Sequence, residues 1–158
     1  MAQMVNAYVD SIAVLSMEQP ADTSDGLLSR VLLPVANESD ARKTARQLAA
    51  YNPETVIVLY VVEKGGGSPD KISVEQSEGI GADAFAAVRE QFPEAETATA
   101  YDTSILNGIF QTAEEVDASA IVYRSRGGNR LAHFLSGDLS LKLVTQAEKP
   151  VIALPRIE

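Results

Sequence analysis

The 158-residue sequence contains no cysteine, which removes disulfides, zinc–thiolate centres and thiol nucleophiles together and is what a reduced cytoplasm permits. It holds one histidine, so clusters of imidazole ligands are excluded as well. Basic residues are scarce. Thirteen Lys and Arg stand against 22 Asp and Glu, and a net charge of −9 repels phosphate backbones and anionic lipid surfaces, which argues against a nucleic-acid partner. Long apolar runs are missing too. The run from Ser11 to Met17 falls far short of the roughly 20 residues a membrane span needs, and no Lys or Arg precedes it as a secretory leader requires. These absences predict a soluble, cytoplasmic protein with no membrane insertion.

What is present is a core. With 46% apolar residues, a chain of this length makes one folding unit. Its acidic side chains are scattered instead of gathered in a tail, and eight of the 13 basic residues are Arg. That composition resembles proteins of salt-loving archaea, the alternative being an ordinary mildly acidic cytosolic protein. Residues 1–28 read as an acidic extension, with Asp10, Glu18, Asp22 and Asp25 and no basic residue. It is either a disordered leader or, through Tyr8 to Leu15, an added strand or partner contact, and Met17 is an alternative start. Residues 29–158 read as the domain proper.

Within that domain, short Val/Ile/Leu runs alternate with helical periodicity, the signature of strands buried on both faces by crossover helices. Strands are expected at Val31 to Ala36, Thr55 to Val62, a weaker Thr97 to Tyr101, Ser119 to Tyr123 and Val151 to Leu154. Helices are expected at Asp40 to Tyr51, Val74 to Phe92 (weakened by Gly79 and Gly81), Ser104 to Val116 and Gly137 to Ala147. Right-handed crossovers turn this order into an α/β, Rossmann-like open five-stranded parallel sheet with helices on both faces. Ligands of such sheets bind outside the carboxyl ends of the strands, where strand order reverses.

The segment after the fourth strand is the richest in chemistry. Between Ala118 and Gly137 stand Arg124, Arg126 and Arg130 with no acidic residue, together with Gly127 and Gly128 and a helix start. Glycines let backbone N–H groups approach an anion, and a helix N-terminus turns its dipole toward one. The bland alternative pairs these arginines with neighbouring carboxylates. No Gly-Lys-Ser/Thr follows, so this is not a Walker loop, and Gly65-Gly-Gly-Ser-Pro69 fails the same test and reads as a flexible connection. Gly79-Ile-Gly-Ala-Asp-Ala84 matches a dinucleotide pattern but follows polar residues where a buried strand is required, and so reads as coincidence. His133 reads as a packing or surface residue, and Asp102, Glu114 and Glu115 as a solvated face unless the fold converges them on a metal. No catalytic residue and no metal ligand is assigned.

Arg30-Val-Leu-Leu-Pro-Val35, Val56-Ile-Val-Leu-Tyr-Val-Val62 and Lys149-Pro-Val-Ile-Ala-Leu-Pro155 resemble the first, second and last strands of the universal stress protein family, with its adenine-nucleotide α-hydrolase-like fold. The similarity covers roughly residues 29 to 156. The family's ATP signature, G-x-x-G, nine residues, then G followed by Ser or Thr, is matched by Gly127 and Gly137, with Ser140 at a second hydroxyl position. Arg124 stands for its first glycine, Asp138 for its hydroxyl residue, and Ala36 for the aspartate that ends the first strand near the nucleoside. The resemblance thus implies a degenerate nucleotide or anion site at Val61 (through its backbone), Arg126, Gly127, Gly137, Asp138 and Ser140. It leaves the cofactor open between ATP, another anion and none. It also implies a non-catalytic regulatory domain, a homodimer through the C-terminal strand and a protein partner. The alternatives are an ATP- or phosphate-ligand sensor and slow hydrolysis using Asp138.

Overall fold

The computed structural model describes residues 26–65, 72–124 and 137–155. Among these residues five strands alternate with four helices: β1 (Val31–Pro34), α1 (Glu38–Ala49), β2 (Val56–Glu63), α2 (Val74–Gln91), β3 (Glu96–Asp102), α3 (Ile105–Glu115), β4 (Ala120–Arg124), α4 (Gly137–Gln146) and β5 (Val151–Leu154). The strands form one parallel sheet in the order β3-β2-β1-β4-β5. This is the α/β architecture expected from the apolar runs. Apart from residues 26–28, the N-terminal extension lies outside the described residues.

Central strands bury both faces, which is why they read as unbroken apolar runs and not as alternation. Val31, Leu33 and Val35 join Ala41, Ala45 and Leu48 of α1 and Ala84, Ala87 and Val88 of α2 in one core layer. Leu32, Ile57, Leu59 and Ile121 join Ile109 and Ala113 of α3 and Leu143 of α4 in the other. β3 was harder to read because it is an edge strand, its Thr97, Thr99 and Tyr101 exposed. It nevertheless runs the full length from Glu96 to Asp102, because Ile57 to Glu63 of β2 continue the pairing.

β1 is shorter than its apolar pattern. Its register on β2 ends at Pro34 opposite Leu59, with one more bond from Val35 N–H to the Leu59 carbonyl at 3.0 Å. The next amide, that of Ala36, turns instead to the Asp40 carboxylate at 2.9 Å. Sequence reversal places the switch point between β1 and β4: the chain leaving β1 crosses to β2, and the chain leaving β4 crosses to β5. The crevice beyond the ends of these two strands is the expected ligand position.

Two glycines that weakened the α2 pattern have different standing. A Cβ on Gly81 meets Tyr60 Cδ2 at 2.8 Å, whereas one on Gly79 has nothing within 4 Å. Gly81 is therefore a close-packing requirement under the Tyr60 ring, which is itself buried and bonded to Ser77 at 3.1 Å. Both glycines lie inside a continuous helix, not at a strand-to-helix turn. Gly79→Ala is expected to stabilise the fold by about 0.5 to 1 kcal/mol through helix propensity. Gly81→Ala is expected to destabilise it by about 1 to 3 kcal/mol through overpacking. Urea denaturation of the two variants checks the opposite signs.

Candidate functional site

The β1–α1 turn is built by local chemistry. Asn37 caps α1 by accepting from Asp40 N–H at 2.9 Å, and Asp40 returns its Oδ2 to Ala36 N–H at the same distance. The Asp40 carboxylate thus reaches one residue beyond the N-cap, to the Ala36 amide, where a reciprocal capping pair would take the N-cap's own N–H. Asp40 is nonetheless only 4% exposed, and its Oδ1 is approached by Thr44 Oγ1 at 3.3 Å. A carboxylate buried that deeply is costly unless charge and hydrogen bonds answer it.

The answering charge comes from the other side of the switch point. Arg124, the last residue of β4, sends Nη2 to Asp40 Oδ1 at 3.4 Å and Nε to Thr44 Oγ1 at 3.3 Å. Its side chain is 10% exposed. One carboxylate therefore joins the two chain segments that leave the two central strands. The anion-loop reading grouped Arg124 with Arg126 and Arg130. For Arg124 the bland alternative is correct, because its guanidinium is engaged with a neighbouring carboxylate.

The other residues assigned from the sequence are distributed as follows. Val61 is buried in β2, past the end of β1 and so at the rim of the crevice, with its side chain against Gly108 of α3. Gly137 and Asp138 open α4, and the half-buried Ser140 follows in the same turn. Arg126, Gly127 and His133 lie outside the described residues. Asp102 and the Glu114–Glu115 pair flank opposite ends of α3, an 11-residue helix whose length of about 16 Å keeps them apart. The fold does not converge them on a metal.

Asp102 has local work instead. Its carboxylate accepts from Ser104 N–H at 3.0 Å and Asn107 Nδ2 at 2.8 Å at the start of α3. These bonds, the backbone one foremost, hold it below the usual carboxylate range. Beside it, Tyr101 donates its phenol to Glu78, which raises the Tyr101 pKa. Because the folded-state value of Asp102 is depressed, its contribution to stability is present above the ordinary aspartate pKa of about 4 and is lost as pH falls through the depressed value. Asn107→Ala should move the Asp102 titration, followed by carbon-detected NMR, upward toward the ordinary value.

Sequence reading missed the Asp40–Arg124 pair. The local half carried a signal, Asn37 followed three residues later by an acidic residue. The distant half, 84 positions away, had none beyond the presence of Arg124. Removing one partner of a buried pair strands the other. Asp40→Ala is therefore expected to cost about 3 to 5 kcal/mol in urea unfolding, and Asp40→Asn, which keeps an acceptor for Ala36 N–H, distinctly less.

The residue pattern of the universal stress protein family matches residues 28–155. Among solved structures, a universal stress protein from Archaeoglobus fulgidus superposes with a TM-score of 0.61 at 23% identity, covering 79% of this chain and 97% of that one. The Archaeoglobus fulgidus protein in complex with dAMP gives 0.58 at 23% identity, covering 79% and 96%. A universal stress protein family protein from Arabidopsis thaliana with AMP bound gives 0.52 at 14% identity, covering 81% and 92%. No curated protein is a significant sequence match. The structural likenesses speak for the fold, and the pattern match speaks for descent across nearly the whole described chain. This chain belongs to the universal stress protein family.

Proposed function

We propose that the protein is a non-catalytic stress-response module of the universal stress type, acting in the cytoplasm as a homodimer, with a nucleotide crevice altered from the family's form. Relatives whose structures contain dAMP, cAMP and AMP support a nucleotide as the class of ligand, and the switch point of the parallel sheet supports its place. The observation that carries the altered-site reading is the wiring of its two walls. Ala36 offers no side-chain acceptor to a nucleoside, and its N–H is directed to Asp40. Arg124, standing where the family signature begins with glycine, is tied to that same carboxylate. Each hydrogen bond withdrawn from a ligand costs it about 1 to 3 kcal/mol, roughly five- to 150-fold in affinity.

The dimer reading is supported by β5. It closes one edge of the sheet, and edge strands left open invite pairing with a second chain. Val151 and Ile152 are half-buried and Ala153 is exposed, while α4 before it exposes Leu141 and Val144. No helix among the described residues is long and apolar enough to cross a membrane. A second reading, a sensor for ATP or another phosphate ligand, is favoured by one observation: α4 begins at Gly137, where the signature spacing places a helix start.

Native mass spectrometry of the purified protein is expected to show a dimer without retained nucleotide, and prolonged incubation with Mg-ATP is expected to leave the ATP unconsumed. A monomer at micromolar concentration removes the dimer, and released ADP removes the non-catalytic reading. A rise in melting temperature with Mg-ATP that Arg126→Ala abolishes favours the sensor.

A further inference from the structure

The ion pair at the switch point differs from the others among the described residues in how deeply it is buried. Arg124 is 10% exposed and Asp40 4%, whereas Lys149, Arg42 and Arg30 in their pairs are 21%, 29% and 36% exposed. Yet the Arg124 contacts, 3.3 Å to Thr44 and 3.4 Å to Asp40, are long for charge-assisted bonds. Asp40 also divides its carboxylate, giving Oδ2 to Ala36 N–H at the shorter 2.9 Å. A guanidinium carries five donors in a fork that fits phosphate oxygens. Here one arm of that fork, Nη2, reaches a shared acid and Nε reaches Thr44, at the end of the sheet where ligands of parallel folds enter.

We infer that Asp40 is an internal competitor for phosphate at this crevice: its carboxylate holds Arg124, and this pair sets how strongly the crevice takes phosphate-bearing ligands relative to neutral nucleosides. The inference rests on the altered-crevice reading above. In the tied state the charges of the pair cancel, and an incoming phosphate has to displace the carboxylate. In the engaged state Arg124 turns to the phosphate, and the Asp40 carboxylate keeps its bond to Ala36 N–H. Neutral ligands are indifferent to the exchange, because neither state offers them a charge. Arg124 is thereby a specificity-determining residue, and Asp40 acts through it.

The test is a double-mutant cycle on the full chain, read by calorimetric titration with ATP, with pyrophosphate and with adenosine as the uncharged control. Asp40→Asn is expected to tighten ATP and pyrophosphate by about tenfold, within the range for coupled sites, and to leave adenosine unchanged. In an Arg124→Gln background the same substitution is expected to give no gain, the non-additivity that marks a direct coupling. A folded Asp40→Asn variant with no gain for either phosphate ligand overturns the inference, as does a gain that survives in Arg124→Gln. Should Asp40→Asn not fold, Arg124→Gln alone decides: phosphate affinity lost with adenosine unchanged supports the competition, and affinities equal to the unaltered protein's overturn it. Nucleotide retained through purification contradicts the altered-site reading, while the pyrophosphate arm of the cycle still reports on Asp40 independently.

Discussion

Among the described residues one buried carboxylate, Asp40, ties together the carboxyl ends of the two central strands. The Asp40 carboxylate closes the β1–α1 turn through Ala36 N–H, lies beside the Thr44 hydroxyl, which donates to the Asp40 backbone carbonyl, and draws in Arg124 from the far side of the switch point. Without it, the amide after β1 and the guanidinium after β4 each face the interior with a demand unmet. Burial of ionic groups is tolerated only when such demands are met together. The sheet fixes where the two strands end, and Asp40 fixes how their exits are held against each other.

That arrangement connects stability to specificity. In an open parallel sheet the core is indifferent to what the carboxyl ends carry, because Val, Ile and Leu on both faces of β1, β2 and β4 already bury the strands. Side chains at the ends are thus released for recognition. In this chain Arg124, at the end of β4, bonds to Asp40 in the first turn of α1, so the protein's own charges meet where β1 and β4 end. On a chain of net charge −9, the pairing also removes a cation from the positive island that the three arginines make in the sequence.

Most of the architecture was legible because it depends on local, repeated signals. Continuous apolar runs announced β1, β2, β4 and β5, and α1 and α3 followed from helical spacing of Ala41, Ala45 and Leu48 and of Ile109 and Ala113. β3 was faint because an edge strand of Thr and Ala has little to bury, and α2 was faint because Gly81 is there for Tyr60 and not for the helix. The candidate site was less legible. Its signature glycines stand out as a spacing, but the Asp40–Arg124 tie joins residues 84 positions apart, and nothing in periodicity or composition links an arginine to one carboxylate among many. Only the assembled sheet, which sets β1 beside β4, brings the two together.

Whether Asp40 holds the Ala36 amide and the Arg124 guanidinium at once is read by residue-resolved hydrogen exchange, followed by nitrogen-15 NMR. Ala36 follows the end of β1 and its N–H goes to the Asp40 carboxylate instead of a strand carbonyl, so without that bond the amide exchanges as a loop does. Strand-like protection of the Ala36 amide is expected, together with an observable, slowly exchanging Arg124 Nε proton. Exchange of both at the rate of exposed loop positions would show that Asp40 holds neither.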